Sequence, residues 1–252
     1  MTISRILLVL IGCSIPFASY AQQERVDIFA DPENLKVLPK DISSVELSAT
    51  MRSFAMGLGV RCETCHVGEP NTPLHTFDFP SDEKPMKQKA RLMIEMVNEI
   101  NGTLVPRLND VEEASRVMVR CMTCHRGQSQ PYLIEDVLDQ QLADGGVDTA
   151  LSEYEKLREE YYGSHSYDFS EFVLPMYTQG LAGNGQTDAA IAIAELNRNY
   201  FPESYYTTFV LAELYASTEQ VELAIERYTR ALELNPRAER AIVPKLEALR
   251  AE

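Results

Sequence analysis

The chain has 252 residues, 38 of them acidic against 23 basic, for a formal charge of −15 at pH 7. That balance argues against nucleic acid as a partner, since such surfaces need a basic footprint. Its ordinary meaning is solubility, and it also suits encounter with a basic protein.

Arg5, the apolar run Ile6–Ile11 and the small-residue site Ser19-Tyr20-Ala21 read as an export signal over residues 1–21, with Gln22 as the mature start. The run is too short to span a bilayer. A periplasmic or otherwise exported soluble product is the reading this favours. Leu10-Ile11-Gly12-Cys13 also fits a lipobox, so a lipoprotein anchored through Cys13 is the alternative. The chain has five cysteines, and cleavage after Ala21 leaves four, all inside two C-x-x-C-H motifs. No thiol then remains for a disulfide or a reactive site.

The elements are all helical. Ser43-x-x-Glu46 is a capping box that opens a helix running to about Gly57. On it Met51 shares a face with Phe54, Ala55 and Leu58, while Met56, about 140° further round, points away. Gly57 and Gly59 provide a turn before Cys62-Glu-Thr-Cys65-His66. In such a motif two thiols one helical turn apart add across the vinyl groups of haem, and the adjoining His reaches the iron. Ser81 or Asp82 is expected to cap the next helix, which ends at Asn101-Gly102. Its Met93 and Met96 share a face with Val97 and Ile100, and periodicity does not choose between them. Asp110-x-x-Glu113 is expected to start a third helix that runs into Cys121. Met118 would then sit on the attachment helix itself, and Met122 lies inside Cys121-Met-Thr-Cys124-His125, so neither can reach across a haem.

Two such motifs imply two covalently bound haem c groups and hence iron, held by Cys62, Cys65 and His66 and by Cys121, Cys124 and His125. A zinc ribbon would place its cysteine pairs closer together and would not explain a His after each. A thioredoxin-type dithiol needs a βαβ context that is absent. For the sixth ligand, Met51 is the candidate at the first haem and Met93 or Met96 at the second. His75 and His165 are held in reserve as distal ligands, although a lone loop His is commonly a solvated group.

Composition changes near residue 130, with Gln128-Ser-Gln-Pro131 and Asp144-Gly-Gly146 marking the junction. The chain divides into a di-haem domain over 22–135 and a helical domain over 145–252. In the latter, Leu211, Ala212, Tyr215, Ala224, Tyr228, Ala231 and Pro236 fall at tetratricopeptide signature positions. Ala190, Ala194 and Pro202 repeat Ala224, Tyr228 and Pro236 at 34 residues. Ala150–Tyr161 reads as a further helix of this hairpin stack and Ile242–Leu249 as its cap. Such a stack suggests protein docking or self-association, with plain structural extension as the bland alternative.

Val37-Leu-Pro-Lys-Asp41, Met51-x-x-Phe54, Gly57-Leu-Gly-Val60, Phe77-Asp-Phe79, Ala90-Arg-x-Met93-x-x-Met96 and Ile100-Asn101 resemble the cytochrome c subunit of photosynthetic reaction centres. The resemblance covers residues 35 to 130 and is to its two-haem members. It implies Met51 as the axial partner of His66 and Met93, or Met96, as that of His125. The function it implies is a non-enzymatic carrier of single electrons between a redox donor and an acceptor, possible membrane proteins among them. The rivals are a two-haem peroxidase or reductase with one open iron, and an assembly protein whose haems are structural.

Overall fold

The computed structural model describes residues 26–108 and 117–251. Within them regular structure is helix, apart from one antiparallel bridge between Val67 and Asp78. This is the all-α architecture expected. The export signal with Cys13 and the helix start at Asp110 and Glu113 lie outside the described residues.

Helix α1 (Ser44–Leu58) opens with the expected capping box. Ser43 Oγ accepts from the Glu46 amide at 3.3 Å, and Glu46 Oε2 accepts from the Ser43 amide at 3.2 Å. It ends at Gly59, which is left-handed at φ 63°. The single turn α2 (Cys62–Cys65) carries the first motif.

Helix α3 spans Pro85–Glu99. Its start is a correction to the sequence reading, because neither Ser81 nor Asp82 caps it. Proline stands at its first position, where no amide needs a partner. Asp82 is instead drawn into an ion cluster with Lys36 (2.6 Å), Arg91 (2.7 Å) and Lys87 (3.4 Å). Its end is a second correction. The chain passes through a π turn (Ile100–Leu104) into α4 (Val105–Leu108), and Gly102 does not take the left-handed conformation of a helix cap.

Val117–Arg120 carries no helix, and α5 (Cys121–His125) begins at the first motif cysteine. The expected helix running into Cys121 is therefore absent from these residues, and Met118 stands on a non-helical approach rather than on the attachment helix.

The rest of the chain is a helical stack: α6 (Ile134–Tyr161), kinked at Gly146, then α7 (Val173–Gly183), α8 (Thr187–Tyr200), α9 (Tyr205–Ser217), α10 (Val221–Leu234) and α11 (Glu239–Ala251). Helix α10 repeats α8 with both ends offset by 34 residues. Burial repeats at the same offset, through Thr178 and Ala212, Leu181 and Tyr215, Ala190 and Ala224, and Ala194 and Tyr228. Even the hairpin turns match: Gln186 N donates to Leu181 O at 2.9 Å and Gln220 N to Tyr215 O at 3.0 Å. Small residues at Ala190 and Ala224 let paired helices approach, and Tyr215 and Tyr228 fill the space between them.

The apolar core lies in this stack, running from Ile134 and Leu138 of α6 to Ile242 and Leu246 of α11. Among the described residues before Ile134, Leu47 and Phe77 are the buried hydrophobic side chains. No helix of the described residues is long and apolar enough to cross a membrane.

Candidate haem attachment sites

Both attachment turns are built the same way. An extended arginine, Arg61 or Arg120, precedes one turn of helix that sets two cysteines on one side and histidine at its end. His66 N donates to Cys62 O at 3.0 Å, and Arg126 N to Met122 O at 3.0 Å, closing each turn. All four thiols are free, with Cys62 and Cys124 exposed and Cys65 and Cys121 half-buried. Burial pushes the Cys65 thiol up, with Cys62 adding to it, and burial likewise raises Cys121. The two pairs are not brought together into one tetrahedral set: no three His, Cys, Asp or Glu of the described residues converge as metal ligands.

The histidines are held differently. His125 Nδ1 lies 2.9 Å from Gln128 O, a contact that leaves Nε2 free for a metal and fixes the ring plane. His66 packs edge-on to Phe79 at 5.0 Å between centroids, and its Nδ1 is buried with no hydrogen-bond partner. Burial holds its imidazolium below the ordinary histidine range; Lys87 and Arg91 act in the same sense, and the Phe79 backbone opposes them. A neutral imidazole is the form that binds iron.

Met51, Phe54, Ala55 and Leu58 share the half-buried side of α1, while Met56 is 71% exposed. On α3, Leu92, Met93 and Met96 are exposed, Met93 at 38% and Met96 at 46%. Together with Met118 and Met122 they leave an apolar surface around the attachment turns that protein side chains do not cover. Covalent haem fits this donor set: free thiol pairs, a His at the end of each, and uncovered thioether and aliphatic side chains. His75 sits on an exposed 3₁₀ turn (Leu74–Thr76), and His165 is exposed in the loop after α6.

The helix contacts are crossed. Helix α1 packs on α5: a Cβ on Gly57 would lie 3.3 Å from Cys121 Cβ, and Gly57 O accepts from Gly127 N at 3.0 Å. Helix α3 packs on α2, where Lys84 Nζ donates to Glu63 O at 2.9 Å. Gly57 is six residues from Met51 and about 120° round the helix, so α5 occupies a different side of α1 from Met51.

Several residues that shape the site were not legible as such. Asn101, read as part of a helix end, clamps Val119: its Nδ2 donates to Val119 O and its Oδ1 accepts from Val119 N, both at 2.8 Å. That fixes the chain two residues before Cys121. Gly59 abuts Gly127 so closely that a Cβ on it would fall 2.0 Å from Gly127 O. An Asn-Gly pair and paired glycines were the available signals, but each is equally a mark of an ordinary turn.

The model of the photosynthetic reaction centre cytochrome c subunit family matches residues 14–144, more than half of the chain. Cytochrome c-554 of Chloroflexus aurantiacus is 30% identical over 106 residues, 42% of this chain and 23% of that protein. The chain thus spans about a quarter of the length of that curated relative. Both matches are to c-type cytochromes, which hold haem c covalently and carry electrons, and the family match covers the part of the chain that bears both turns. On this match and on the paired turns it falls upon, the chain belongs to the photosynthetic reaction centre cytochrome c subunit family.

Proposed function

We propose that the chain is an exported cytochrome with two haem c groups that passes single electrons between a redox donor and an acceptor protein. The observation that carries this is the pair of like-built turns Cys62–His66 and Cys121–His125, each beside a methionine-bearing helix. Cys62 and Cys65, and Cys121 and Cys124, would form the thioethers; His66 and His125 would be proximal ligands. When bound, the haem supplies a one-electron couple. The chain's own residues orient the histidines, through Gln128 O at His125 and through Phe79 at His66. Exposed apolar side chains beside the turns, Leu92 and Met96 among them, would lie against the haem and exclude water. A pyridine haemochrome assay with intact mass on exported protein tests it. Two haems per chain and a start at Gln22 are expected; one haem, or none, would sink the reading.

We assign Met51 as the partner of His66 and Met93 as that of His125, with Met96 as the alternative to Met93. Gly57 and not Met51 faces α5, which leaves the side bearing Met51 free for the first haem. The crossed helix contacts favour one second reading, in which Met51 serves His125 and the α3 methionine serves His66. Loss of Met51 separates the two readings by which haem it disturbs. The enzyme alternative needs an open iron, so carbon monoxide binding to the reduced protein at one haem would favour it over the carrier.

In this reading the division is a di-haem domain over 22–135 followed by a tetratricopeptide-like domain over 145–252. The second domain would dock a redox partner or another copy of the chain, and nucleic acid is not a partner.

A further inference from the structure

The turn that follows His125 is gripped from outside the haem-bearing half. Arg126 and Gly127 both have positive φ, 50° and 86°, so the backbone reverses sharply after the histidine. Gln128 N donates to His125 O at 2.8 Å, and Gln128 O meets His125 Nδ1. On one side Gly57 O accepts from Gly127 N. On the other, Ser166, only 7% exposed and in the loop between α6 and α7, donates its Oγ to Arg126 O at 3.0 Å. A Cβ on Gly127 would lie 3.8 Å from that same Oγ.

Ser166 lies beyond residues 14–144, the part matched by the family, and the loop that carries it is tied to the helical stack. Arg158 of α6 stacks on Tyr162 at 4.4 Å and on Tyr200 of α8 at 4.2 Å, and donates to Phe169 O at 3.2 Å. Tyr167 packs on Tyr161 and on Phe169, and Phe169 is buried in the core of the stack. An unbroken series of packed groups therefore runs from α8 through Arg158 and the loop to the carbonyl next to the proximal histidine.

We propose that Ser166 is a positioning residue for the second haem. Through the Arg126 carbonyl it holds the turn whose Gln128 O orients His125, so the helical stack sets the geometry of that ligand. The orientation and hydrogen bonding of an axial histidine tune the iron's potential. A partner that shifts α6 or α8 would thus be felt at the second attachment turn and not at the first, since among the described residues no hydrogen bond joins this loop to Cys62–His66. The inference rests on the two-haem reading above.

The test is a spectroelectrochemical titration of the intact haem-loaded protein, run with Ser166→Ala, Ser166→Thr and Gly127→Ala. Haem count in the unaltered protein is measured first; fewer than two haems per chain would fail the two-haem reading itself. Gly127→Ala strains the turn directly and marks which redox step belongs to the second haem. Ser166→Ala is expected to shift that same step and leave the other in place, while Ser166→Thr, which keeps the hydroxyl, returns it towards its original position. If Ser166→Ala moves neither step, or moves both alike, the proposal is overturned. Should Ser166→Ala fail to fold, Arg158→Met loosens the loop without touching the turn. It must then shift the step marked by Gly127→Ala, and an unmoved step overturns the proposal equally.

Discussion

Methionine 51 and aspartate 82 show how differently single side chains can be read. Helical spacing alone separated Met51 from Met56, and the exposure of Met56 agrees with it. Met51→Ala is expected to lower one midpoint potential by on the order of 0.1 V, a fraction of the roughly 0.8 V span that axial ligands command. A redox titration with both steps unchanged would remove Met51 as a ligand. Met93→Ala and Met96→Ala should differ from each other in the same measurement; identical spectra for the two would exclude both. Asp82, by contrast, looked like a helix cap and is the centre of an ion cluster. Its carboxylate is held well below its ordinary range by hydrogen bonds from Lys36, Asn34 and Arg91. A depressed carboxylate stabilises the fold above its unfolded pKa, near 4, and that contribution is lost as pH falls through the native value. Acid should therefore loosen the start of α3 below about pH 4. Asp82→Asn should flatten this acid dependence while weakening the neutral protein, and an unchanged acid titration would refute the role.

Among the elements, α1 was readable from end to end because its capping box and its C-terminal glycine are local chemistry. Helix α3 was not. Its start depends on which groups capture Asp82, and its end depends on Val119 capturing Asn101, eighteen residues away in sequence. Lys36 stands 46 residues from Asp82 and Val119 stands 18 from Asn101, outside any local window. Asn101→Ala should strip both hydrogen bonds from Val119 and cost about 1–3 kcal/mol. Chemical denaturation would register that loss, together with faster amide exchange around Cys121. An unaltered midpoint and unchanged exchange would show that the clamp does not hold the approach to the second motif. The hairpins α7–α8 and α9–α10 were the most legible part of the chain, since a repeat states its own period. Ile193, fully buried in α8, should cost about 2–5 kcal/mol on truncation to alanine.

The whole molecule divides unevenly. Its apolar core is in the stack, whereas the half bearing the attachment turns leaves Leu92, Met93 and Met96 exposed. Burying such surface contributes roughly 25 cal/mol per Å², and a bound haem is the group able to provide that burial there. Replacing all four motif cysteines by alanine should therefore leave amides of 134–251 protected in hydrogen exchange and those of 44–108 largely open. Uniform protection across both halves would show that the first half folds without haem.

The sequence by itself determined two C-x-x-C-H motifs, the capped helix α1 and the 34-residue repeat, because each follows from spacing a few residues long or from a fixed period. Tertiary structure decided what those pieces do to one another. That α1 rests on α5, that Asn101 clamps Val119 and that Ser166 grips the turn after His125 are pairings across long stretches of chain. Each has a backbone group or a close glycine contact on one side, which carries no side-chain signature for a sequence to display.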